Sequence, residues 1–286
     1  MKKKVVITGS NGFIGKYLTE LFEKHSYDVI KLQRSIKKKN DNKTFEWKLG
    51  DKFPEQALSS HIFIHCAYDS RSERLKNNFK QNLNYVGLKK ILSQLRSKTN
   101  YEFYFLSSQS AQDKTRSYYG RLKYQMEKLI KYDNNNGVEI IIRPGMVYGK
   151  NSSVTQLIRK ITKLKIVPFF SLEKNIQPID INDLCECIHK IISNRNKLSH
   201  YNLAIEEGIN FKKYVEFICE DNLISKPFFI YIPPWFVIFL ANLFDLTRIS
   251  RLSLSERVFG LLFLNKLNTK KSLHNINYKL NKRFLH

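Results

Sequence analysis

Cysteine is scarce. Four occur in 286 residues, in no spacing that builds a disulfide framework, which points to a reducing compartment. Cys185 and Cys187 are separated by one residue, not by the two-residue gap of a redox or zinc pair, so they are expected to pack inside a helix. No metal site is expected. Acidic residues are also few, 25 against 49 Lys and Arg, for a formal charge of +24. That excess favours anionic ligands at long range. The basic residues are mostly Lys spread along the whole chain, with no RNA-binding signature, zinc-finger spacing or basic-aromatic repeat, which argues against a nucleic-acid partner. Internal repeats and low-complexity linkers are absent, and the opening "MKKKVVITG" enters a strand pattern with too short an apolar core for a signal peptide. The expected compartment is therefore the cytoplasm.

A long hydrophobic run is missing too. The most apolar stretch, "PFFIYIPPWFVIFLANLF" at 227–244, is broken by Pro233 and Pro234 and falls short of the roughly 20 apolar residues that span a bilayer. Arg248, Arg251 and Arg257 follow it, so it suits a peripheral contact with an anionic membrane surface as well as a helix packed in a second lobe. The packed helix is the simpler expectation.

What is present reads as one regular pattern. At 42% hydrophobic the chain can bury a full core, and strand-like runs alternate with amphipathic helical ones. Strands are expected at Val5 to Thr8, Asp28 to Leu32, Thr44 to Leu49, His61 to Cys66, Phe103 to Ser107 and Val138 to Arg143. Helices fill the gaps at Gly12 to Lys24, roughly Lys76 to Ser97, and Tyr118 to Lys131. The fold class is α/β, a doubly wound (Rossmann) parallel sheet. After Tyr148 the regularity weakens, which divides the chain into a dinucleotide-binding domain at 1–165 and a smaller substrate lobe at 166–286, with some chain returning to the first domain.

Within "VVITGSNGFIGKYL", Gly9, Gly12 and Gly15 follow a strand and open a helix. Such a turn lets the backbone approach a pyrophosphate while the helix N-terminus offers unpaired N–H groups and partial positive charge. Dinucleotide binding by residues 9–15, including Asn11, Phe13 and Ile14, is the expectation. The end of the second strand, about 20 residues on, is where Asp or Glu would read an NAD ribose. This chain has "KLQRS" there, and Arg34 can fork onto a 2′-phosphate, so NADP is favoured over NAD.

In "SYYGRLKYQMEKLI", Tyr119 and Lys123 are four apart on an expected helix and share a face. A phenol titrates near pH 10, so its use as a base at pH 7 requires a fall of about three units, roughly 4 kcal/mol, which a nearby ammonium helps to supply. Tyr124 and Lys128 have the same spacing. The preceding "FYFLSSQSAQD" places serines at the end of a parallel strand, facing the crevice where ligands bind in this topology.

Taken in this order, the glycine turn, the strand-end serines, Tyr-x-x-x-Lys and "RPGMVYG" resemble the extended short-chain dehydrogenase/reductase family, the NAD(P)-dependent nucleotide-sugar epimerase and dehydratase group. The resemblance runs from residue 5 to about 220. It implies that Asp51 contacts adenine, that Cys66, Ala67 and Tyr68 lie at the cofactor ribose, and that Asn84 belongs to the N-x-x-G helix signature. It also implies a catalytic Ser108, Tyr119 and Lys123, with Ser107 and Ser110 as rivals to Ser108. Arg143, Pro144 and Gly145 are then expected at the nicotinamide end, and Asp183 falls in the element that leads into the substrate lobe.

Two departures narrow the reaction. The Asp-Glu pair that sugar dehydratases carry after the catalytic residue is replaced by Gln109 and Ser110, so elimination of water lacks its acid and base. Ala111, Gln112 and Asp113 replace the family's usual Val-Tyr-Gly. What remains is a 4-epimerase or 4-ketoreductase type of enzyme, acting on a nucleoside-diphosphate sugar for surface polysaccharide by analogy with the group. A reductase of another carbonyl and a non-catalytic dinucleotide sensor are the alternatives. Lys150, Arg159 and Lys160 are candidates to clamp the diphosphate, and the aromatics at 228–239 to stack on a base or fill core. A homodimer also stays open.

Overall fold

The computed structural model describes residues 2–36, 41–75, 78–133, 136–163, 165–170, 173, 175–246 and 254–281. Seven strands form a wholly parallel sheet: β1 (Lys4–Thr8), β2 (Asp28–Gln33), β3 (Thr44–Glu46), β4 (Ile62–His65), β5 (Tyr101–Leu106), β6 (Gly137–Pro144) and the later β10 (His200–Leu203). Their order is β10-β6-β5-β4-β1-β2-β3. The chain therefore winds outward from β1 in one direction and from β4 in the other, and the crevice between those two strands is the switch point at which this topology binds ligands.

Alternation along the strands sorts the core. Val5 and Ile7 of β1 point to one face, where α1 (Phe13–Lys24) and α6 (Ile181–Ser193) pack. Val6 points to the other, against α3 (Leu83–Arg96) and α4 (Tyr118–Glu127). Strands buried on both sides must read as continuous apolar runs, and these do. Cys185 and Cys187 lie in α6 with their thiols buried, and all four cysteines are free.

Element ends differ from the sequence reading for identifiable reasons. The expected helix from Lys76 is replaced by a 3₁₀ turn at Phe79–Gln81 and a separate α3, because Asn82 adopts an extended conformation and caps α3 by accepting from Asn84 N–H. Lys76 itself lies outside the described residues. The third strand stops at Glu46 instead of Leu49, since Trp47 turns inward and donates to the Asp51 carbonyl across a turn with Gly50 at φ +96°. The short helix α2 (Glu55–Leu58) follows. Helix α4 ends at Glu127, four residues early.

The remainder builds the second lobe on two small parallel pairings. One joins β7 (Met146–Tyr148) to β9 (Pro178–Asp180); the other joins β8 (Ile166–Phe169) to β11 (Phe228–Tyr231). Helices α5 (Ser153–Thr162), α7 (Phe211–Asp221), α8 (Pro234–Leu246) and α9 (Leu254–Leu262) complete it, and α10 (Lys270–Asn275) returns to β10. One expectation is met only in part: α8 packs against α9 but leaves much of its apolar surface exposed. Among its described apolar side chains only Ala241 is fully buried, and Trp235, Phe239 and Leu243 are more than half exposed. No helix among the described residues is long and apolar enough to cross a membrane.

Candidate functional site

The glycine turn lies against the loop that leaves β4. Gly9 has φ +67°, and a Cβ there would sit 2.9 Å from the Ala67 backbone. A Cβ on Gly15 would sit 2.2 Å from the Gly9 carbonyl oxygen, so side chains at these positions would drive the turn and helix apart. Thr8 ties the two loops together, its hydroxyl accepting from Ala67 N–H at 3.2 Å and lying 2.8 Å from His65 Nδ1. Gly12 is the N-cap of α1 and offers no side-chain cap, so the amides of Phe13, Ile14 and Gly15 open toward the crevice. Asn11 is exposed beside them. This cradle, filled by any Cβ and open at the helix end, fits the pyrophosphate of a dinucleotide.

The segment beyond β4 carries the expected ribose residues. Burial pushes the Cys66 thiol up to about 12, which makes it an inert packing group. Tyr68 meets Tyr119 edge to face, with ring centroids 5.2 Å apart. Asn84 is fully buried and both ends of its amide hold this loop: Oδ1 accepts from Asp69 N–H at 2.7 Å, while Nδ2 donates to the Asp69 carbonyl and to Ser72. Its place in the site is thus behind the loop. Arg34 follows β2 with its side chain 63% exposed, and its guanidinium is 3.9 Å from the Asp69 carboxylate. Asp51 is exposed and turned back on itself, its carboxylate accepting from Lys48 N–H.

Lys123 is the most constrained group of the site. It is buried, donates to the Leu106 carbonyl at 2.8 Å, and lies 4.8 Å from the centre of the Tyr68 ring and 4.9 Å from that of Phe105. Tyr119 is one turn earlier on α4 and half-buried. The rival pair is separate: Lys128 stacks over the Tyr124 ring at 4.6 Å and is exposed. Ser108 Oγ is 2.9 Å from Ser110 Oγ and accepts from Ser110 N–H. Ser107 and Ser110 are buried, which leaves Ser108 the most accessible of the three.

Sequence reasoning passed over several groups that shape this arrangement. A Cβ on Gly120 would sit 2.3 Å from the Ser110 carbonyl oxygen, so this glycine is what lets α4 lie against the serine turn. A glycine inside an otherwise helical pattern was the available signal. His65 is fully buried and held neutral, its pKa lowered to about 3 by burial and by the Lys123 charge. Gln109 is buried and donates to the carbonyls of Asn175 and Asn265 and to Gln177 Oε1. Gln177 in turn holds the carbonyls of Ile205, Glu206 and Leu267 and accepts from Leu267 N–H. The position where dehydratases place an acid therefore carries an amide that fastens the second lobe.

Other expectations are corrected. Arg143 does not shape the pocket end with its side chain, because its guanidinium is paired with the buried Glu127 of α4 through Nε at 2.7 Å and through Nη2. Pro144 and Gly145 are held as backbone, the Pro144 carbonyl accepting from Gln109 N–H and Gly145 N–H donating to Leu203. Asp183 is buried and accepts from Tyr278 OH and from Asn281 N–H and Nδ2, anchoring the chain's C-terminal segment. A small cleft in the second lobe is lined by Phe170, Glu173, Asn175, Ile176, Phe211 and Leu261. Apart from the residues expected in the site, His25, Glu186 and His189 place side-chain N and O atoms within 4.8 Å of one another. The two imidazoles are stacked at 4.1 Å, at the far end of α1, roughly 18 Å of helix from the glycine turn.

The chain resembles known proteins in sequence and in fold. A model of the NAD dependent epimerase/dehydratase family matches residues 5–204. The chain is 23% identical over 243 residues to the CDP-abequose synthase of Salmonella muenchen, covering 77% of this chain and 81% of that protein. It is 28% identical over 220 residues to the UDP-glucose 4-epimerase of Vibrio cholerae, covering 66% of each. Its fold superposes on the solved structure of MoeE5 in complex with UDP-glucuronic acid and NAD with a TM-score of 0.70, at 15% identity, over 98% of this chain and 94% of that one. The family match runs unbroken from the glycine turn through the serine turn to β10, and on it the chain belongs to the NAD dependent epimerase/dehydratase family of extended short-chain dehydrogenases/reductases.

Proposed function

We propose that this protein oxidises or reduces one sugar carbon of a nucleoside-diphosphate sugar, as a 4-epimerase or 4-ketoreductase, with Ser108, Tyr119 and Lys123 as its catalytic residues. The observation that carries the reading is the position of Lys123: a buried ammonium anchored at the end of β5 and sharing the Tyr68 ring with Tyr119. A buried ammonium in such a place favours an anion beside it, because the two charges interact in surroundings that screen them little. Tyr119 takes the proton of the sugar hydroxyl, or returns it to a keto oxygen, and Ser108 hydrogen-bonds the same oxygen. Lys123 favours the ionised phenol by its charge. The nicotinamide, when bound, supplies or accepts the hydride. Gln109, lacking an acid function and spent on the lobe, disfavours dehydration.

Residues 1–165 would hold the cofactor, with the substrate completed by 166–286. The preference for NADP rests on Arg34, exposed beyond β2 and engaged only at 3.9 Å by Asp69, from which a 2′-phosphate can draw it. The relatives named for CDP- and UDP-linked sugars support the substrate class. Incubation with NAD or NADP and a panel of CDP- and UDP-sugars, followed by cofactor absorbance and sugar stereochemistry, tests the proposal. Wild type is expected to turn over at least one sugar and Tyr119→Phe to lose that turnover. Cofactor binding without chemistry on any sugar would overturn it.

A further inference from the structure

Helix α8 departs from the way the rest of the chain is built. Trp235, Phe239 and Leu243 form one i, i+4 row along it, and Phe236, Leu240 and Phe244 the adjacent row. All six are exposed, Trp235 by 69%. Strand β11, two residues before α8 in the chain, leaves Phe228 79% and Tyr231 53% exposed as well. Helices α1 and α6 of the same protein bury their apolar stripes against the sheet. A contiguous exposed face of this kind marks an interaction site.

We propose that the face formed by α8 and β11 docks on an anionic lipid surface, with α8 lying in the plane of the headgroups. Its chemistry separates that occupant from others. No Asp or Glu occurs between Asp221 and Asp245. Asp245 is engaged at the start of α9, where it accepts from the Ser255 hydroxyl at 2.6 Å and from Ser255 N–H. The face therefore presents no acid to oppose a negative surface, and the chain behind it carries a charge of +24. Such a charge draws the molecule to anionic lipid and repels a second copy of itself. Trp and Tyr settle at headgroup depth, and Trp, Phe and Leu form the inserted side of helices that lie in the interface. Thirteen residues of helix reach about 20 Å, too short to cross roughly 30 Å of hydrocarbon, so α8 lies on the membrane and does not span it. Arg248 and Arg251 lie outside the described residues.

Helix α9 links this face to the candidate site, since it packs against both α8 and α4. Arg116, next to the cap of α4, sits 5.2 Å from the centre of the Phe263 ring just beyond α9. Docking would thus hold the Tyr119 and Lys123 helix at a fixed distance from the lipid surface.

The test is flotation of the full-length protein with vesicles of equimolar phosphatidylglycerol and phosphatidylcholine, against vesicles of phosphatidylcholine alone. The wild-type protein is expected to float with the mixed vesicles, less so with the neutral ones, and less as salt is raised. Phe239→Ser combined with Leu243→Ser should cut the bound fraction about tenfold or more. Both positions are exposed, so an unchanged circular dichroism spectrum and thermal midpoint will confirm that the variant is folded. Tryptophan emission should shift to the blue on adding the mixed vesicles, and because Trp47 is already buried the shift reports Trp235. Failure of wild type to float with anionic vesicles, or equal flotation of the variant, would overturn the proposal. So would a solution dimer that the double substitution converts to monomer, which would give the face to a second copy.

Discussion

The Lys123 ammonium lies 4.8 Å above the centre of the Tyr68 ring, whose edge-to-face partner is Tyr119. Three residues from one loop and one helix thereby share one contact, and the lysine is the only cation among the three. Replacing it with methionine keeps the length of the side chain and removes the charge. Lys123→Met is expected to lower kcat by about 10²- to 10⁴-fold, the range for loss of assisted proton transfer. The pH optimum should also move to the alkaline side, because the phenol then loses the charge that favours its ionised form. Steady-state rates from pH 6 to 10 on wild type and variant check both outcomes; an unmoved optimum would show that Lys123 only binds cofactor.

Gly120 gives a sharper test of how the serine turn meets α4. Its missing Cβ would lie 2.3 Å from the Ser110 carbonyl oxygen, a separation no pair of such atoms tolerates. In Gly120→Ala the helix must retreat, although alanine is the better helix former by about 1 kcal/mol. If Tyr119 and Ser108 act as proposed, activity is expected to fall by about 10²-fold from their displacement, with dinucleotide affinity largely kept, since the glycine turn lies between β1 and α1. Equilibrium cofactor binding measured beside turnover separates the two effects.

Much of the nucleotide-binding half was legible because its physics is local. The alternation of strand and helix, the three-glycine turn and the Tyr119 to Lys123 spacing each follow from neighbours in the chain. What was not legible depends on distant partners. Nothing near Arg143 announces that Glu127 will take its guanidinium, and nothing near Gln109 announces that carbonyls 66 and 156 residues away will converge on its amide. Hydropathy assigned α8 to an interior because apolar residues are usually buried, but a pattern apolar on every side carries no information about which neighbour covers it. The lobe after Tyr148 lacks a repeating unit, so its small strand pairs had no period to reveal them.

Gln109 supplies a prediction about stability. It and Gln177 join segments around residues 175, 205 and 266; both glutamines are buried, and their bonds to Asn175 and Asn265 are part-buried. Gln109→Leu matches the volume closely but leaves the Asn175 and Asn265 carbonyls without this donor. The expected loss is about 1–3 kcal/mol, a fall of roughly 2–12 °C in thermal midpoint for a chain of this size. Differential scanning calorimetry measures it. Gln109→Glu should be worse than Gln109→Leu, because it brings a carboxylate to face the same carbonyls. If Gln109→Glu instead gained dehydratase activity at unchanged stability, the amide would have no fastening role.

His65 links the site to acid stability. Burial, with the Lys123 charge in addition, lowers its pKa to about 3 from an ordinary 6.5, while in the unfolded chain it titrates normally. Above pH 6.5 both states are neutral and the group adds no pH dependence. As pH falls through 6.5 toward 3, the unfolded chain takes up a proton that the folded protein refuses, so stability is lost by up to about 1.4 kcal/mol per pH unit. His65→Phe preserves an aromatic ring between Phe103 and Phe105 and cannot titrate. Whatever it costs at pH 7.5 through the lost contact with Thr8, its denaturation midpoint should decline less steeply between pH 6 and 4 than that of wild type. Urea titrations at half-unit intervals give the two slopes, and parallel slopes would mean that other groups carry the acid sensitivity.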